Sequence, residues 1–238
     1  MSQRKFAVFD IDGTLVRWQL YHAVVDRLAK KGHLGIDAEE QIHGQRMVWK
    51  RREHPDAFED YEQFLVKFYE KALNDLKPSV FDRIAREVAD EYKEQVYTYT
   101  RDLVYQFKSE GYWLLAISGS HDELVGIIAK QHGFDDWVGS YYHRGVGRFI
   151  GTKDVASHDK KASLRQFVEK HDLSMTDSYA IGDSRSDIPM MEIVEHPIAF
   201  NPTRELFDHA RGQKWPIVVE RKNVVYKLKH SDGSYILA

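Results

Sequence analysis

Phe6-Ala7-Val8-Phe9-Asp10-Ile11-Asp12-Gly13-Thr14-Leu15-Val16 is the stretch that decides the fold. Phe6 to Phe9 form an unbroken apolar run, the pattern of a strand buried on both faces of a parallel sheet. The run stops at Asp10, and Asp12 and Gly13 follow. On a continuing strand, residues two apart share a face. Both carboxylates are therefore expected to project the same way from the strand's C-terminal end, where open α/β sheets bind ligands. Gly13 permits a sharp exit and a close backbone approach to a bound group. Two carboxylates this close repel, and desolvation sharpens the repulsion. Mg²⁺ relieves it, because it takes a few carboxylates together with phosphate oxygens and water. The pair points to one Asp as nucleophile or ligand and the other as proton shuttle. The plainer reading is a strand end with two solvated turn aspartates.

The length of 238 residues suits one large domain or one domain with an insertion, and 42% hydrophobic residues can fill an ordinary core. A net charge of −3 gives no reason to expect nucleic acid or an anionic membrane as partner. The absence of cysteine excludes disulfides, thiolate catalysis and Cys-based zinc sites. No stretch approaches the ~20 apolar residues of a membrane span, and no signal-peptide core is present, so a cytoplasmic protein is expected.

Past the first strand, residues 18 to about 32 read as a helix, and no convincing strand appears before Thr100. Phe58, Tyr61, Phe64, Leu65, Phe68, Tyr69 and Leu73 recur at helical steps, and Val80, Ile84, Val88 and Tyr92 repeat the pattern after Pro78. Residues 16–99 are therefore expected to form an inserted all-helical unit, with 1–15 and 100–238 as the α/β core. Arg46, Lys50, Arg51 and Arg52 beside Trp49 read as a solvated helix face, with an anionic substrate as the sharper alternative. Strands and helices then alternate. Trp113–Ile117 is a buried strand leading into Ser118-Gly119-Ser120 and a helix from Asp122, and a hydroxyl with free N–H groups there can hold an anion. Lys160 and Lys161 open a helix, where a cation opposes the macrodipole unless an anion is near. Asp177–Ile181 reads as a strand ending in Gly182-Asp183-Ser184-Arg185-Ser186-Asp187, two carboxylates around a tight turn that can converge on a divalent ion. Short strands at Pro197–Phe200 and Pro216–Val219 and a hairpin turning at Asp232-Gly233 close the chain.

Asp10-Ile-Asp12-Gly13-Thr14 after an apolar strand resembles the first motif of the haloacid dehalogenase superfamily of phosphohydrolases. Ser118-Gly-Ser-His-Asp-Glu-Leu-Val125 resembles its second motif in the phosphoserine phosphatase-like form. Lys160, four residues before Leu164, has the spacing of the third, and Gly182 to Asp187 resembles the fourth. The resemblance implies a three-layer Rossmann-like α/β core with a mostly parallel sheet, and a helical cap at 16–99. It implies Asp10 as nucleophile and Asp12 as proton donor. It further implies Mg²⁺ held by Asp10, the Asp12 carbonyl and Asp183, with Asp187 as a ligand or a partner that orients one. Ser118 and the Gly119 amide would hold phosphate oxygens, and Lys160 would tie the nucleophile to the transferring group.

The implied activity is Mg²⁺-dependent hydrolysis of a small phosphorylated metabolite through an aspartyl-phosphate. Dehalogenation fits poorly because a halide needs no proton from Asp12, and no cap lysine stands out for phosphonatase chemistry. Phosphoserine is the nearest specific alternative. Yet Gln19 and Val66 stand where that subgroup carries a Glu and an Arg, which lowers the expectation for it. A phosphate-binding scaffold with a residual site is the alternative from another class. His121, beside Ser118, is expected to shape the pocket rather than react. Oligomeric state is not readable.

Overall fold

The computed structural model describes residues 3–238. The apolar run seen in the sequence is the inner part of β1 (Arg4–Phe9), and its neighbours on either side are β2 (Trp113–His121) and β5 (Leu173–Gly182), both parallel to it. Beyond β2 lie β3 (Asp136–Arg144), parallel, and β4 (Phe149–Asp154), antiparallel. Beyond β5 come parallel β6 (His196–Phe200) and β7 (Ile217–Arg221), then antiparallel β8 (Val224–Ser231) and β9 (Ser234–Leu237). The nine-stranded order is β4-β3-β2-β1-β5-β6-β7-β8-β9. Successive strands build outward from β1 in one direction, then resume on its other side. The switch point therefore falls at the C-terminal ends of β1 and β5, where such sheets place ligands.

Alternation along the strands divides the core into two faces. Phe6, Val8, Leu115, Ile117 and Ala180 face α7 (Lys160–His171), α8 (Ile188–Met191) and α9 (Arg204–Gln213). Ala7, Phe9, Leu114, Ala116 and Ile181 face α5 (Thr98–Ser109) and α6 (Asp122–His132). This is a three-layer α/β arrangement.

Between β1 and β2 the chain forms α1 (Leu20–Lys30), α2 (Ala38–Arg51), α3 (Ala57–Leu73) and α4 (Pro78–Tyr92). The helix expected from residue 18 begins at Leu20, and α2 carries too few regularly spaced apolar residues to announce itself. Two strand-like crossings join the block to the sheet: Arg17 N–H donates to Gln95 O at 2.8 Å and Tyr97 N–H to Leu15 O at 2.9 Å. The basic cluster of α2 is not one solvated face. Arg46 pairs with Asp26 and donates to Tyr61 Oη, and Lys50 lies over the Trp18 and Trp49 rings, while Arg51 is exposed. Among the described residues no helix is long and apolar enough to cross a membrane.

Candidate active site

Every side chain singled out by the motifs lies at the switch point. Asp10 follows β1, with its N–H held by Ile181 O at 2.9 Å, and is buried. Lys160, the first residue of α7, is 1% exposed; its Nζ donates to Asp10 Oδ1 at 2.5 Å and to Asp187 Oδ1 at 2.6 Å. Of the two adjacent lysines it is Lys160 that enters the site, while Lys161 stays half-buried outside it. Asp187 Oδ2 accepts from the N–H groups of Asp183 and Ser184 at 3.1 and 2.9 Å and from Ser184 Oγ at 3.1 Å. Asp187 thus closes the turn that aims Asp183, whose carbonyl is steadied by Thr203 N–H at 2.7 Å. Gly182 is required here, because a Cβ would overlap the Asp187 side chain.

Asp12 is held by two elements. Its Oδ1 accepts from Leu20 N–H at 2.5 Å and its Oδ2 from Ser118 Oγ at 2.6 Å. Ser118 Oγ in turn accepts from Ser120 N–H at 3.0 Å, so its proton goes to Asp12 in this arrangement. Gly119 lies between them with its carbonyl taken by Ser140 Oγ at 2.7 Å. The N-terminus of α1 is the part that sequence reasoning missed. Its cap position, Gln19, makes no side-chain cap, and the orphan N–H groups of Leu20 and Tyr21 go instead to Asp12 and Ser120 Oγ. The missing Ser, Thr, Asp or Asn before Leu20 was the only signal in the sequence.

Burial pushes Asp10 up to about 8, with Asp187 and Asp12 adding to the rise and Lys160 opposing it. Burial, then Asp10 and Asp187, hold Asp183 well above the usual carboxylate range. Burial also raises Asp12 against the hydrogen bonds from Ser118 and Leu20. Burial disfavours the Lys160 ammonium, yet Asp10 and Asp187 outweigh it and keep the group charged. Four carboxylates therefore share one ammonium, a donor set short of positive charge. Asp10, Asp183 and Asp187 each bring an oxygen within 4.8 Å of the others. Asp187 has both oxygens engaged by protein donors, which leaves Asp10 and Asp183 with oxygens to give. Gly13, at φ +79°, supplies the remaining space, since a Cβ there would overlap Asp183 Oδ2. The side chains of Asp10 and Asp183 fit a hard divalent cation.

The sequence model of the family described as haloacid dehalogenase-like hydrolase matches residues 7–192. A histidinol-phosphatase of Neisseria meningitidis serogroup C (strain 8013) is 25% identical over 224 residues, covering 90% of this chain and 98% of that one. A phosphoserine phosphatase of Streptococcus thermophilus (strain ATCC BAA-250 / LMG 18311) is 25% identical over 205 residues, 84% of this chain and 86% of its own. Among solved structures, a phospho-aspartyl intermediate analogue of phosphoserine phosphatase superposes with a TM-score of 0.66 at 20% identity. It covers 93% of this chain and 95% of that one, and shows a shared fold.

Proposed function

Since the chain belongs to the haloacid dehalogenase-like hydrolase family, we propose that it is a Mg²⁺-dependent phosphatase of small phosphate monoesters working through an aspartyl-phosphate on Asp10. The observation that carries this is Asp10 itself. It is a buried carboxylate at the end of β1, fixed through Oδ1 by Lys160 and set beside Asp183 and Asp12. Asp10, Asp183 and the Asp12 carbonyl would hold Mg²⁺, which when bound would supply positive charge for a phosphate dianion to approach these carboxylates.

Asp10 attacks phosphorus, the bond from phosphorus to the ester oxygen breaks, and Asp12 gives its proton to the departing alcohol. Water then attacks the acyl phosphate, Asp12 takes the proton from that water, and Asp10 is released with inorganic phosphate. The roles match the contacts. Lys160 opposes the rise in Asp10 and orients its Oδ1. Ser118 and the α1 N-terminus hold Asp12 on the leaving-group side, and Asp187 positions Asp183 and Lys160. Uncatalysed phosphate monoester hydrolysis is slow enough that enhancements reach ~10²¹-fold, so convergence of all these groups is what the reaction demands. The helical block over 16–99 serves as the cap that shields this chemistry from water.

The relatives named for histidinol phosphate and phosphoserine support a small phosphorylated metabolite as substrate. Phosphoserine is the weaker candidate, because the uncharged Gln19 lies at the rim of the site beside Gly13 and Asp183. Phosphate release from 4-nitrophenyl phosphate tests the reading. It is expected with Mg²⁺ and should vanish with EDTA or in Asp10→Asn. Release that is indifferent to both refutes the proposal.

A further inference from the structure

Asp12 carries a donor on each oxygen: Leu20 N–H at 2.5 Å on Oδ1 and Ser118 Oγ at 2.6 Å on Oδ2. Both donors are fastened through the same third residue. Ser120 N–H donates to Ser118 Oγ at 3.0 Å. Ser120 Oγ accepts from Tyr21 N–H, the amide next in the chain to that of Leu20, at 3.1 Å. Ser120 lies in β2 and is 3% exposed, at a place where the register against β3 shifts between Ile117 and His121. Irregularities of this kind re-aim side chains beside active sites.

Packing alone does not call for a hydroxyl at position 120. Alanine fills a buried strand position and leaves no polar side-chain atom to satisfy. The start of α1 does call for one. The first N–H groups of a helix lack partners within it, and a side chain at the cap position usually takes one of them. Gln19, which holds that position, makes no such bond. Leu20 N–H goes to Asp12 and Tyr21 N–H to Ser120, so these two residues share the work of a cap. Aspartate is itself among the strongest capping residues. Without the Ser120 hydroxyl, Tyr21 N–H loses its partner beside that carboxylate and competes for it. Asp12 would then turn toward α1 and away from Ser118, serving as a cap in place of an acid.

The consequence falls on one step. As Asp10 attacks, the bond from phosphorus to the ester oxygen breaks, its electron pair stays on that oxygen, and the Asp12 proton joins it. A carboxyl group turned off line delivers that proton poorly, because proton transfer needs hydrogen-bond reach to the oxygen. An ester oxygen that leaves as a stable anion loses little by this, and one that leaves as a strongly basic anion loses most.

We propose that Ser120 is the positioning residue of the proton donor: by taking Tyr21 N–H and turning Ser118 Oγ, it leaves Asp12 facing the leaving oxygen. The inference rests on the phosphatase reading above. The test compares kcat/KM for phenyl phosphate and 4-nitrophenyl phosphate, esters of similar shape whose leaving groups differ in basicity. This parameter covers the steps up to departure of the leaving group, so release of phosphate does not mask the effect. Ser120→Ala should lose about tenfold more on phenyl phosphate than on 4-nitrophenyl phosphate. A merely structural role would lower both alike. Ser120→Thr, which keeps a hydroxyl, should retain the wild-type ratio of the two esters. If Ser120→Ala does not fold, Ser120→Cys, similar in size and a poor acceptor, takes its place with the same expected shift. Equal losses on the two esters, no loss on either, or a ratio in Ser120→Thr as shifted as in Ser120→Ala, overturns the inference. Absence of turnover of both esters by the wild type with Mg²⁺ overturns the phosphatase reading, and the inference with it.

Discussion

Lys160 shows how one buried ammonium joins two carboxylates of a site. It bonds Asp10 and Asp187 at once, from the first position of α7, where only nearby anions make a lysine favourable. Lys160→Met should leave both carboxylates buried without their cation. Removing one partner of a buried pair costs roughly 3–5 kcal/mol. The melting temperature should fall clearly, and Mg²⁺ should restore part of the loss, which thermal melts with Mg²⁺ and with EDTA would show. Asp183→Asn should appear first as a metal defect, with the Mg²⁺ concentration for half-maximal rate rising about tenfold or more. An unchanged Mg²⁺ titration would remove Asp183 from the ligand set. At this scale the sequence was readable where a short motif fixes geometry, as from Asp10 to Gly13 and from Gly182 to Asp187. It was silent on Tyr21 and Ser120. Their bond joins residues 99 positions apart and depends on a cap that α1 lacks.

Among the elements, the inner strands were plain in the sequence because burial on both faces makes them continuously apolar. Their limits were not, since β2 runs on through Ser118-Gly119-Ser120 to His121 and β5 begins at Leu173. The aromatic and glycine-rich stretch over 138–150 contains most of β3 and the start of β4, whose antiparallel register shifts between Tyr142 and Arg144 and so leaves no regular local pattern. The C-terminal hairpin was legible from Asp232-Gly233, where φ values of +48° and +82° suit the primed turn. At the other end of the sheet α7 is stapled to β3. Lys170 Nζ and His171 Nε2 reach Asp136 Oδ2 at 2.7 and 2.6 Å. Burial raises Asp136, yet the bonds from Lys170, His171 and Trp137 N–H prevail and hold it below the usual range. A depressed carboxylate contributes stability above its unfolded value of about 3.9, and that contribution fades as pH falls through the folded value. Asp136→Asn should therefore cost about 1 kcal/mol at pH 7. The difference from wild type should shrink on acidification below pH ~4, as urea titrations at both pH values would record. A difference that grows in acid would contradict the staple.

For the whole molecule, the sheet's switch point gathers the reacting groups, and the helical block leans on them through α1 and across to β3 and β4. Arg144 ties α4 to α6 through Asp82 and Glu123, and Lys153 ties α3 to β4 through Glu70. None of these ties was foreseeable, because each joins surfaces that meet only after both halves have folded. The order of the four motifs was sufficient for the core, since each sits at a strand end or helix start that the topology brings to one edge. The proposed mechanism makes Asp10 the atom donor to phosphorus. Borohydride reduces an acyl phosphate to the alcohol, so a phosphorylated aspartate becomes homoserine and is identified by peptide mass spectrometry. The enzyme quenched with borohydride during turnover of 4-nitrophenyl phosphate with Mg²⁺ should carry homoserine at position 10, and only when substrate and metal are both present. Homoserine at Asp12, Asp183 or Asp187, or steady turnover with no reduced residue at all, would contradict the account.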